Sequence, residues 1–330
     1  MTGRLNLILA AACTALSLQA QYVVSAKSGV VNYVEGTVKI AGKEIAPKFG
    51  EFPEVKKDQT LATEDGRAEV LLNPGIMLRL AEDSSMRMLD THLEDTHVEL
   101  LSGSAMLDAT QLEKYNSLTI HIQDSTIAIL KSGLYRIDMA DGRLRVYDGE
   151  ARVTSPTATV SVRKGKQVRL GAVMLAENFD TKTGDDAFYR WGARRSQTVA
   201  RANPSAARGA NCFATTTNCT GWVYNPYFGT ITYIPGSRMY CNYFGECYYS
   251  PSTVYAVYYP PAGGGGFGGP GLNAGGLSNA GLASPVRLDS GISDGRVGAA
   301  SAGPVASGPA ATGVSAAPAV SAPAGGGRGR

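Results

Sequence analysis

The side chains best equipped for chemistry sit in one stretch, where Cys212, Cys219, Cys241 and Cys247 are interleaved with the runs GWVYNPYFG (221–229) and MYCNYFGECYYSP (239–251). The cysteine pairs enclose six and five residues, wider than the C-x-x-C of a zinc knuckle, and no histidine lies nearby. Disulfides are the expected chemistry. Local closure, Cys212 with Cys219 and Cys241 with Cys247, is the simplest pairing, and two other pairings are open. The aromatics admit two readings. Trp222, Tyr224, Tyr227, Phe228, Tyr233 and Tyr240 can form the core of a small stapled module. Alternatively Trp222, Tyr224, Tyr227 and Phe228 offer stacking surfaces to a glycan or a protein partner.

Other chemical signals are weaker. His92 and His97 bracket Leu93-Glu94-Asp95-Thr96, a spacing that fits neither one helix face nor one strand face, so a solvated turn is expected rather than a metal site. His121, between Ile120 and Ile122, is expected to face solvent. Gly291-Ile292-Ser293-Asp294-Gly295 matches a nucleophile elbow as a string but lacks the strand-to-helix context that makes the elbow work. Glu94, Asp95, Asp138 and Asp148 are the carboxylates available for glycoside chemistry, which needs two of them facing across a cleft. No catalytic residue, cofactor or metal is expected.

The elements that must position these groups are strands. Between residues 25 and 175 apolar residues alternate with polar ones and turn signals recur. Ala68, Val70 and Leu72 share one face and Arg67 and Glu69 the other; after the turn Asn73-Pro74-Gly75, Ile76, Leu78 and Leu80 resume the apolar face with Arg79 pointing away. The same grammar recurs in Leu118-Ile120-Ile122 with Ile127-Ile129, and in Tyr135-Ile137-Met139 with Leu144-Val146 around Asp141-Gly142. Further strands are expected at 151–153, 160–162 and 168–170, with Lys164-Gly165 turning between the last two. Many short strands over about 150 residues predict an all-β sandwich, barrel or solenoid with a real core.

Particular runs go further than the pattern. Gly29–Val38, Leu61-Ala62-Thr63, GRAEVLLNPGIMLRLAEDSSMRM (66–88), GSAMLDA (103–109) and GLYRIDMADGRLRVYDGEARVT (133–154) together resemble the FecR domain. That resemblance implies a β-rich, solenoid-like fold in the bacterial envelope. The family's founding role is iron-citrate signalling, in which a periplasmic domain listens to an outer-membrane transducer and a cytoplasmic segment controls a sigma factor. An anti-sigma arm and a membrane-spanning helix are expected before such a domain, and here a leader stands in their place, so direct transmembrane signalling is not implied. The family supplies no catalytic residues to transfer.

The leader is Arg4, the apolar run Leu5 to Leu18, and Gln19-Ala20-Gln21, which has the order of a secretory signal with removal after Ala20. Ala10-Ala11-Ala12-Cys13 is an alternative lipoprotein box; either reading exports the chain to the periplasm or beyond. After the β domain, Thr183-Gly184-Asp185-Asp186 fits a capping box opening a helical segment, 183–203. Phe188, Trp191, Arg195 and Val199 share its face, and Asn203-Pro204 is expected to end it. The aromatic module then runs over 204–261, and 262–330 is a Gly/Ala/Pro/Ser tail too poor in large apolar residues to fold. A net charge of +3 over 330 residues gives no field that would recruit nucleic acid, and no transmembrane helix is expected in the mature chain. The leading function is a non-catalytic binding, scaffold or sensor-like protein whose partner is an unnamed envelope protein. The alternative is a carbohydrate- or cell-wall-associated protein, a weak hydrolase included.

Overall fold

The computed structural model describes residues 28–171, 173–182, 185–209 and 220–258. The leader with Cys13, both Cys212 and Cys219, and the tail lie outside the described residues.

Alternating sequence becomes alternating deposition. β1 (Val30–Glu35) enters a first sheet; β2 (Val38–Ile40), β3 (Lys43–Glu44) and β4 (Thr60–Thr63) enter a second. β5 (Arg67–Leu71) and β6 (Ile76–Leu80) return to the first, and β7 (Ser85–Asp90) and β8 (Asp95–Ser102) to the second. The rhythm continues with β9 (Ser104–Ala109) in the first sheet, β10 (Ser117–Ile122) and β11 (Ser125–Ile129) in the second, and β12 (Gly133–Asp138) and β13 (Arg143–Val146) in the first. β14 (Glu150–Thr154) and β15 (Thr159–Arg163) join the second sheet, and β16 (Lys166–Arg169) and β17 (Glu177–Asn178) finish the first. The result is an eight-stranded and a nine-stranded sheet. Among the described residues their ladders are antiparallel except for β8 with β10.

One core joins the two sheets. Val70, Leu78, Leu107, Tyr135 and Val146 of the first meet Leu61, Met86, Val98, Ile120, Ile127 and Val153 of the second, which makes the all-β domain a sandwich. The turn at Asn73-Pro74-Gly75 is closed by Ile76 N donating to Asn73 O at 2.8 Å, and the β5–β6 register follows from it. Lys164-Gly165 does turn the chain, but it carries β15 of one sheet into β16 of the other rather than making a hairpin.

The sheets differ on their outer faces. β10 alternates between buried and half-exposed residues, as a sheet with one wet face should, whereas β6 and β12 are buried at every position. The first sheet is covered by a third layer. Its main element is α1 (Ala187–Gly209), joined by the hairpin β18 (Gly221–Asn225) and β19 (Thr230–Ile234), the hairpin β20 (Met239–Cys241) and β21 (Cys247–Tyr249), and α2 (Pro251–Tyr258).

α1 starts where its cap allows. Asp186 Oδ1 accepts from Tyr189 N at 2.8 Å, the N-cap interaction that satisfies an orphan helix donor. Its end differs from expectation: the helix runs through Pro204 to Gly209. Proline removes the helical donor to Ala200 O, and the covering strands hold the carbonyls on either side of it. Thr232 Oγ1 donates to Val199 O at 2.6 Å and Asn225 Nδ2 to Ala202 O at 2.8 Å. Burial of Val199, Ala200, Ala202, Ala206 and Ala207, with these two bonds, holds the turn around the proline, so the helix outlasts its sequence stop signal.

Candidate binding surface

The surface is best built from the charges beneath it. Register sets Glu69 of β5 opposite Arg79 of β6, and Asp108 of β9 opposite Met77, one step along from Arg79. All three point away from the sandwich core, yet none reaches water. Arg79 Nε donates to Glu69 Oε2 at 2.9 Å and its Nη1 to Asp108 Oδ2 at 3.2 Å. From α1, Arg195 Nη2 donates to Glu69 Oε1 at 2.9 Å and Ser196 Oγ to Asp108 Oδ2 at 2.7 Å. Asn32 Nδ2 reaches Glu69 at 3.0 Å, and Asn242 Nδ2, from the turn between β20 and β21, reaches Asp108 at 3.0 Å. Two carboxylates and two guanidiniums thus fasten α1 and the β20–β21 turn to the first sheet.

Burial alone would raise the Glu69 carboxyl, but the guanidiniums of Arg195 and Arg79 outweigh it and hold it at about 2. Tyr248 lies over the same cluster; burial first, then the Asp108 charge, pushes its phenol far above the ordinary range. It is a neutral core residue. Gly192 lets the helix come this close: a β-carbon there would stand 2.9 Å from Met106 Sδ.

Above the charges lies the aromatic layer. Trp222 is buried, donates Nε1 to Leu72 O at 3.1 Å and meets Tyr233 edge-on at 5.7 Å. Together with Tyr248 these rings pack on Val30, Leu71 and Met77, so the aromatic module shares its core with the β sandwich. Cys241 and Cys247 are joined by a disulfide across the β20–β21 hairpin. Asn203, buried on α1, donates Nδ2 to Tyr233 O (2.8 Å) and Tyr249 O (3.1 Å) and accepts from Tyr249 N (2.8 Å), tying both hairpins to the helix.

At the tip of the β18–β19 hairpin the pattern reverses. Asn225 is 1% exposed, whereas Tyr227 two residues on is 88% exposed. Asn225 Oδ1 accepts from Tyr227 N at 3.0 Å while its Nδ2 holds Ala202 O and Ser205 Oγ, so the turn is anchored from below. Phe228 is 44% exposed and Phe49 75%. Phe49 packs against Gly229, whose φ of +59° favours glycine and where a β-carbon, 2.1 Å from the ring, would push Phe49 away. Tyr224, half-buried, is pinned edge-on by Phe52 at 5.3 Å. Of the four aromatics singled out as contacts, Trp222 is therefore core, Tyr224 is a support, and Tyr227 and Phe228 are available. Phe49, which strand patterning does not flag, joins them; the signal for it was the loop Lys48-Phe49-Gly50-Glu51-Phe52-Pro53, two aromatics in a turn-rich stretch.

A cleft of about 470 Å³ opens elsewhere on the covered face, lined by Ser104, Arg136, Asp138, Asp141, Arg145, Phe179 and Asp186. Its charges are spent on one another. Arg136 bridges Asp138 at 2.9 Å and the helix cap Asp186 at 2.7 Å, and Arg145 bridges Asp138 and, at 3.0 Å, Asp141. Asp148 pairs with Lys164 at 3.2 Å, and Asp95 accepts from Ser117 Oγ at 2.5 Å. Asp138, Asp148 and Asp95 thus each sit in a separate local pairing. His92 is an exposed turn residue beside Asp90, and His97 and His121 stand on neighbouring strands.

A family model described as FecR protein matches residues 59–166, which run from just before β4 to the start of β16. A search of curated proteins finds no match. Among solved structures, two crystal structures provisionally described as an anti-sigma factor from Parabacteroides distasonis align weakly. One is 14% identical with a TM-score of 0.34, over 42% of this chain and 64% of that one. The other is 15% identical with a TM-score of 0.27, over 44% and 62%. In both cases this chain spans less than two thirds of the aligned protein. The matched residues hold most of the sandwich, with its strand alternation and paired turns, and the aromatic layer lies beyond them; residues 59–166, about a third of the chain, match the FecR family.

Proposed function

We propose that this chain is an exported, non-catalytic binding protein of the bacterial envelope, in which the FecR sandwich is the scaffold and the aromatic tip of the β18–β19 hairpin is the contact. The observation that carries the reading is the contrast at that tip. A buried asparagine with four hydrogen bonds fixes the turn, and the side chains it presents, Tyr227 and Phe228, are exposed beside Phe49. Rigid aromatics lose little conformational entropy on binding and dominate interface energetics. The proposed occupant is an envelope protein with an apolar depression that accepts these rings.

The secretory leader supports the location, and the absence of a long apolar helix among the described residues is compatible with a chain that acts on a surface rather than through a membrane. The mutual pairing of Arg136, Asp138, Arg145, Asp141 and Asp186 supports a structural rather than catalytic use of the cleft. The test is retention of purified chain on isolated envelope fractions, outer membranes and peptidoglycan sacculi separately, with Tyr227→Ser/Phe228→Ser as the comparison. Loss of retention on membranes supports the reading. Retention on sacculi alone, lost in the variant, moves the function to the cell-wall alternative.

A further inference from the structure

The one parallel ladder among the described residues places His97 of β8 and His121 of β10 side by side on the wet face of the second sheet. Their rings stack with centroids 5.2 Å apart, and His97 Nδ1 lies 2.9 Å from His121 Nε2. Asp95 Oδ1 stands 3.0 Å from His97 Nε2 and is itself held by Ser117 Oγ at 2.5 Å. A carboxylate only accepts, so the His97 proton resides on Nε2, and its Nδ1 lone pair faces His121. A carboxylate on the far nitrogen of an imidazole is the arrangement that orients a metal-binding histidine and raises its basicity.

We propose that His97 Nδ1 and His121 Nε2 form a binding site for a late divalent transition metal, Cu²⁺ before Zn²⁺, with Asp95 orienting His97. Two nitrogens 2.9 Å apart subtend a right angle at a metal about 2.05 Å from each, the cis edge of a tetragonal Cu²⁺ site. A tetrahedral ion with the same bond lengths needs the nitrogens about 3.3 Å apart, a shift of a few tenths of an ångström that two side chains can make, so the preference for copper rests on its position in the affinity order. Binding requires that neutral His121 carry its proton on Nδ1 instead of Nε2, and that the two rings, whose nitrogens now face each other in a hydrogen bond, tilt so that both lone pairs converge on the ion. Glu99, opposite His121 in the register and on the same face, is the nearest acid on β8 beyond Asp95, and it already holds Arg87 through Oε2 at 2.9 Å. No cluster of three or more metal-binding side chains occurs among the described residues, so water completes the coordination.

The test is titration of the full exported chain with Cu²⁺ and Zn²⁺, followed by calorimetry and by electron paramagnetic resonance of the copper form. One Cu²⁺ bound with a spectrum showing two imidazole nitrogens is expected, with Zn²⁺ weaker. His97→Ala and His121→Ala each abolish the two-nitrogen signature, Asp95→Asn weakens copper about 10-fold or more, and His92→Ala leaves it unchanged. Unfolding curves of the apo variants, matching wild type, establish that the outer face is intact. Absence of Cu²⁺ binding by the wild type, or binding that survives in both histidine variants, overturns the proposal.

Discussion

Replacing Arg195 by methionine keeps the length of the side chain and removes the charge that α1 lends to Glu69. In the native protein Glu69 is fully buried and bonded by Arg79 Nε, Arg195 Nη2 and Asn32 Nδ2. Removing one partner of a buried ion pair costs about 3–5 kcal/mol, because the remaining charge stays desolvated. That is a large part of the roughly 5–15 kcal/mol that holds a domain folded. A proton assay reads the same energy. The Glu69 carboxyl falls from an ordinary 4.5 to about 2 in the fold, worth about 3 kcal/mol at 1.36 kcal/mol per unit. A depressed carboxylate contributes its stability fully above the unfolded value and loses it as pH falls toward the folded one. Wild type should therefore lose about 3 kcal/mol between pH 5 and 2 from this group, and Arg195→Met distinctly less. Urea unfolding followed by tryptophan fluorescence is the assay, since the protein's two tryptophans, Trp191 and Trp222, both sit in the third layer. Glu69→Gln/Arg195→Met should recover at least about 2 kcal/mol relative to the sum of the single changes. A single-variant penalty under about 1 kcal/mol with an unchanged acid slope would refute the view that this network clamps the layer.

Two further outcomes follow from the same geometry. Asn225→Ala strips the turn of its anchor and removes the bonds to Ala202 O and Ser205 Oγ, so it should cost about 1–3 kcal/mol and broaden the Tyr227 and Phe228 resonances in NMR; sharp, unshifted signals would count against the anchored turn. Replacing Cys241 and Cys247 together by serine opens a short loop and should lower stability by about 2 kcal/mol on the chain-entropy estimate, read as a lower urea midpoint with an unchanged slope.

Much of the sandwich was legible in the residues. The β5–β6 hairpin follows from Asn73-Pro74-Gly75 and the alternation around it. What alternation cannot tell is what covers the other face. Arg79 does point away from the core, but into a second buried layer, and only its carboxylate partners on β5 and β9 make that tolerable. Pro204 reads locally as a stop, and the contacts that hold the helix past it, among them Asn225 on Ala202 O and Thr232 on Val199 O, come from more than twenty residues later. The pairing of His97 with His121 depends on the register of one parallel ladder, which no spacing in the chain encodes. The aromatic tip was partly readable: Asn225-Pro226 before Tyr227-Phe228-Gly229 is turn chemistry, and a ring at a turn is an exposed ring.

The most direct test of the central claim is the affinity of the purified chain for isolated outer membranes, wild type against Tyr227→Ser/Phe228→Ser. Interface hot-spot aromatics contribute about 2 kcal/mol or more each, so the account predicts saturable binding that weakens more than about tenfold in the variant while the unfolding midpoint stays put. Equal binding by the two proteins would contradict it.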